Sequence, residues 1–107
     1  MKVLLDEMLP NGVRQLLPDH QVMTAAYVGL AGVSNGEMIS RAVSEGFDVI
    51  VSLDRGIPHQ QNLDRYAIGF VLIPHNDVER IRPYADALAD AVATSTPGHV
   101  VRIADQL

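Results

Sequence analysis

Asp6 and Glu7 follow the short apolar run Lys2-Val3-Leu4-Leu5, and Asp54 follows a second run that ends in Val49-Ile50-Val51-Ser52. Acids placed after such runs fall at the carboxyl ends of strands, where open parallel sheets bind their ligands. Two ionised carboxylates about 5 Å apart repel by roughly 3 kcal/mol at an effective dielectric of 20, so a cluster of them takes up a proton or a cation. Magnesium or manganese answers that demand, because hard cations take oxygen ligands, keep several waters and need neither cysteine nor histidine. Aspartate is also common at strand ends for ordinary turn hydrogen bonding, and placement alone does not separate the two uses.

Glu37 has two readings. It stands three residues after Ser34, as the glutamate of a helix capping box does, and Arg41 follows one turn later as an ion-pair partner. A helix entered from strand two also starts on the carboxyl side of the sheet, so its first turn can point Glu37 toward Asp6 and Asp54. The polar stretch after Asp54 offers Arg55, Gln61, Asn62 and Asp64 to position a phosphate or to add a metal ligand. Glu45 and Asp48 belong to the opposite end of the sheet and read as solvated. The four histidines lack metal-ligand spacing, and neither a P-loop nor a G-x-G-x-x-G turn is present.

The elements that must hold these acids alternate in type. Residues 2 to 5 form a buried strand, and Val13, Leu16 and Leu17 give residues 10 to 17 a short amphipathic helix. Residues 20 to 25 suggest strand two. Ser34 caps a helix that starts near Asn35 and stops at Gly46. Residues 47 to 52 and 67 to 73 are strands three and four, with polar residues 57 to 65 between them as irregular chain or one helical turn. Asp77 caps helical residues that run to about Thr94 with a break at Pro83, and residues 100 to 103 close the sheet. This alternation predicts an α/β fold, a three-layer α/β/α arrangement around a mostly parallel sheet of about five strands.

The chain has 107 residues, which fits a single domain spanning 1 to 107. Its formal charge of -5 removes the picture of a basic domain held to nucleic acid by phosphate contacts alone. Two bound divalent cations would bring the charge to -1, so an acidic domain can still act on RNA if its acids cluster and hold metal. Cysteine is absent, which excludes disulfides, thiolate zinc and a cysteine nucleophile and suits a reducing cytoplasm. No apolar run is long enough for a signal peptide or a membrane span, so a cytoplasmic protein without membrane contact is expected. With no tryptophan and five aromatics in all, a base-stacking platform lacks material.

Leu4-Leu5-Asp6-Glu7-Met8-Leu9-Pro10 resembles the LLDENLP opening of the DUF5615 PIN-like proteins, with Met8 where that family has asparagine. Val33-Ser34-Asn35-Gly36-Glu37 is similar to that family's polar turn and acidic helix start. The Ser52-Leu53-Asp54 step and Gln60-Gln61-Asn62 resemble its serine-or-threonine-x-aspartate strand end and the following QQN. The likeness covers roughly residues 1 to 75. It implies a magnesium- or manganese-dependent ribonuclease, often the toxin of a toxin-antitoxin pair, with a site of Asp6, Glu37 and Asp54 and with Glu7 or Asp64 nearby. An RNA substrate and an antitoxin protein are the partners it implies.

Two other classes compete. A non-catalytic PIN-like module would keep the fold for binding, using the uncharged segment from Tyr27 to Val33 against a partner or a second copy in a homodimer. A receiver-like phosphoacceptor domain also carries an acidic pair after strand one and an aspartate after strand three. It requires a hydroxyl residue after strand four and a lysine after strand five, where this chain has Pro74-His75 and Arg102-Ile103-Ala104.

Overall fold

The computed structural model describes residues 1–53, 62 and 65–103. Strands β1 (Lys2–Leu5), β2 (Gln21–Thr24), β3 (Val49–Ser52), β4 (Gly69–Leu72) and β5 (Val100–Arg102) form one sheet in the order β2-β1-β3-β4-β5. Every pairing is parallel. Three helices, α1 (Asn35–Ser44), α2 (Val78–Ile81) and α3 (Ala85–Ala93), occur among the described residues, with 3-10 turns at Asn11–Leu16 and Arg82–Tyr84. The fold is α/β with helical layers on both faces of the sheet, as the alternation predicts.

Register explains how so short a chain builds two cores. Leu4, Ile50 and Phe70 lie side by side, as do Leu5, Val51 and Val71 one residue on, and successive side chains point to opposite faces. Val3, Leu5, Val49, Val51 and Val71 therefore pack with Val13 of the first 3-10 segment, Leu17 just after it, and Ile81, Leu88 and Val92 of α2 and α3. Leu4, Ile50 and Phe70 pack with Met38, Ile39 and Ala42 of α1. Burying each large aliphatic side chain contributes about 1.5–3 kcal/mol, which is why the central strands read as unbroken apolar runs.

The crossovers are not uniform. The β1–β2 connection runs one way along the sheet over the face of Val3 and Leu5, and β2–β3 returns over the other face, so the two share a hand. The β4–β5 connection runs in the same direction as β2–β3 but over the face of Val3 and Leu5, which gives it the opposite hand. Parallel crossovers share the right hand in about 98% of cases.

Local punctuation falls where the residue types put it. Ser34 Oγ accepts from Glu37 N–H at 3.2 Å at the start of α1. Gly46, at φ +84°, ends it, with Gly46 N–H bonded to the Val43 carbonyl and Phe47 N–H to that of Ala42. Phe47 closes this cap, so β3 begins at Val49 rather than at residue 47. Asp77 Oδ1 accepts from Glu79 N–H at 3.0 Å, and the chain tightens to 3-10 geometry at Pro83 before α3. Residues 10 to 17 differ from the expected α-helix: Asn11–Leu16 is a 3-10 segment. Six residues between Pro10 and Leu17 are too few for α-helical hydrogen bonding to gain over tighter turns.

Candidate functional site

In a sheet of order 2-1-3-4-5 the crevice at the carboxyl ends lies between β1 and β3, where the strand order reverses. Asp6 and Ser52 meet there. Asp6 N–H extends the ladder to the Val51 carbonyl at 3.0 Å, and Ser52 Oγ donates to Asp6 Oδ2 at 2.7 Å. Ser52 is fully buried and Asp6 is only 6% exposed. Asp6 has no cationic partner among the described residues. A buried carboxyl group needs hydrogen-bond partners, and Ser52 supplies one.

Glu7 turns the other way along the chain and grips a loop. Both its carboxylate oxygens accept from Gly32 N–H, at 3.1 and 3.2 Å. Gly32 has φ +82°, a conformation that favours glycine, so Glu7 fixes the turn that leads into α1. Asp6 and Glu7 both line a groove of about 750 Å³ that runs past Arg14, His20 and Thr24 to Tyr27.

Glu37 is not among the residues lining that groove. Its N–H is capped by Ser34, and its Oε2 lies 3.9 Å from Arg41 Nη1 with both side chains about half exposed, the capping geometry expected from the spacing. An exposed pair at that distance stabilises the helix by at most about 0.5 kcal/mol. Asn62 is exposed and its carbonyl accepts from Arg65 N–H at 3.2 Å. Asp54, Arg55, Gln61 and Asp64 lie outside the described residues. Asp48 does more than face solvent: its Oδ2 accepts from Lys2 N–H at 2.7 Å and anchors the far end of β1.

Among the described residues no group of three or more histidine, cysteine, aspartate or glutamate side chains is arranged around one metal position. That search reaches Asp6, Glu7 and Glu37 but not Asp54 or Asp64. Magnesium and manganese bind through one or two carboxylates and complete their shell with water, and Asp6 and Glu7 are the described carboxylates that line the groove. Ser52 belongs to the serine-x-aspartate step quoted above, but motif reading gives it no role in the site. Its signal is a hydroxyl ending a β-branched strand two residues before an aspartate, beside another strand that ends in an acid. No family model matches the chain, and neither a curated protein nor a solved structure does.

Proposed function

We propose that this chain is a PIN-like, magnesium- or manganese-dependent ribonuclease of the cytoplasm, of the kind that serves as the toxin of a toxin-antitoxin pair. The observation that carries the reading is Asp6, buried at the β1/β3 crevice, bound by Ser52 and opening into a groove. Asp6 and Asp54 would hold the cation, with Glu7 beside them. When bound, the cation supplies charge neutralisation at the phosphodiester and lowers the pKa of a coordinated water. Ser52 keeps one Asp6 oxygen, Oδ2, fixed. Arg55 would neutralise phosphate charge, and Glu37 would orient water or add a ligand. Gln61, Asn62 and Asp64 supply polar contacts to the substrate.

The test is RNA cleavage in manganese by purified Asp6→Asn and Asp54→Asn variants. Asparagine at position 6 still accepts from Ser52, so the fold persists while the anionic ligand is gone. Each variant is expected to lose cleavage by at least two orders of magnitude, the scale of a removed charge-stabilising group. Full activity in both folded variants would exclude the reading. Glu37→Gln sorts the third acid: unchanged cleavage leaves it as a cap alone.

The strand order favours one other reading, because receiver domains share the 2-1-3-4-5 sheet. The reversed hand of the β4–β5 connection and Pro74-His75 after β4 stand against it. Incubation with acetyl phosphate and magnesium would label Asp54 in a receiver and is expected to leave this chain unlabelled. A chain that neither cleaves RNA nor accepts phosphate would be a binding module.

A further inference from the structure

The groove beside Asp6 continues well beyond the carboxylates. It holds about 750 Å³ and adjoins a second hollow of about 440 Å³, and the two share Asn11, Arg14, His20 and Val22. Together they make one channel along β2, with Asp6 and Glu7 toward one end and Pro18 at the other. Tyr27 lines the acidic part and is 81% exposed, more than any other large apolar residue described. Its backbone is fixed, since Tyr27 N–H donates to Thr24 Oγ1 at 3.2 Å and Val28 N–H to the Thr24 carbonyl at 3.3 Å. An open aromatic ring on a pinned turn, in the groove that Asp6 also lines, is poorly explained by packing. Arg14, exposed on the 3-10 segment, forms no ion pair among the described residues.

We propose that this channel is the track for a single-stranded nucleic acid, in which Tyr27 stacks one base and Arg14 holds a phosphate next to the one at Asp6. The proposal rests on the nuclease reading and deepens it. One exposed aromatic suffices, because stacking on a single ring is sequence-tolerant and strong, whereas an extended platform is what this composition lacks. The strand is single because Asp6, at 6% exposure, is reached only by a narrow chain. A paired base is also not free to stack on a side chain. Arg14 places one positive charge in the groove that Asp6 and Glu7 also line, on a chain of net charge -5, and so gives the phosphate backbone an attractive contact against the overall field.

Fluorescence anisotropy with a labelled oligouridylate, and with a duplex RNA of equal length, tests this on the full chain in calcium buffer, RNA integrity being checked by gel. The single strand is expected to bind more tightly than the duplex. Tyr27→Ala is expected to weaken it roughly 5- to 150-fold while Tyr27→Phe preserves binding. Arg14→Ala is expected to weaken binding and flatten the slope of log affinity against log salt by about 0.7, one phosphate contact on a single strand. Arg102→Ala, on the opposite edge strand, is the control that leaves both unchanged. Equal binding by wild type, Tyr27→Ala and Arg14→Ala, preference for the duplex, or binding of neither RNA overturns the track. A manganese cleavage assay run in parallel separates the two readings. Cleavage with an unchanged KM in Tyr27→Ala and Arg14→Ala removes the track and keeps the nuclease. Tyr27-dependent binding without cleavage removes the nuclease and keeps the track.

Discussion

At the scale of single residues, the Ser52–Asp6 hydrogen bond is the contact on which the site depends. The two residues are 46 positions apart in sequence and meet only because β1 and β3 pair in parallel. Asp6 was legible as a strand-end carboxylate from its position after an apolar run, and Glu37 as a capped helix start from its distance to Ser34, since both signals are local. Ser52 was not, because a hydroxyl ending a strand declares its partner only once the sheet is assembled. A hydrogen bond to a charged acceptor contributes about 1.5–3 kcal/mol. Ser52 makes further interactions, so Ser52→Ala alone would measure more than this bond. A double-mutant cycle with Asp6→Ala isolates the pair, and urea denaturation is expected to give a coupling of about 1.5–3 kcal/mol. A coupling near zero would mean that the carboxylate is not held by this hydroxyl.

Among the elements, those whose signals are internal came out closest to expectation. Ser34, Gly46, Asp77 and Pro83 each mark a helix boundary by their own chemistry, and each marks one in the fold. The strands are shorter than the apolar runs, since Phe47 and Ile68 pack in the core just outside the strand ends. Strand order and the reversed β4–β5 crossover were not legible at all, because nothing in a strand's own residues names its neighbour or the face its connection crosses. Gly69 shows what that crossover demands. Paired with Val49 at the start of β4, it lies so close beneath Ser95, just after α3, that a Cβ there would collide with Ser95 Oγ and approach the Thr96 carbonyl at 3.1 Å. Gly69→Ala is therefore expected to destabilise the fold by about 1–3 kcal/mol, the usual range for overpacking. Adding Ser95→Gly should recover part of that loss in thermal or urea unfolding. A fully stable Gly69→Ala would show that α3 and the turn after it do not press on β4 as described.

For the molecule as a whole, the question is whether an acidic chain gains stability from a cation at one place or from screening everywhere. Salt screens all exposed charges, so with a formal charge of -5 some stabilisation by any electrolyte is expected. Site binding behaves differently, because a ligand held only by the folded state adds RT ln(1 + [L]/Kd), about 2.7 kcal/mol at a hundredfold excess over Kd. For a domain of this size each kcal/mol raises Tm by roughly 4 °C or more, so saturating manganese is expected to raise Tm by about 10 °C above potassium chloride of equal ionic strength. Asp6→Asn should keep the screening increment and lose most of the remainder, since it removes the buried ligand while leaving the other charges in place. Thermal unfolding of both proteins in both salts reads the difference directly. Equal manganese shifts in wild type and Asp6→Asn would assign the whole effect to diffuse screening. The Ser52–Asp6 pair would then be a strand-end contact, and the channel beside it would have to bind its strand without a metal at its floor.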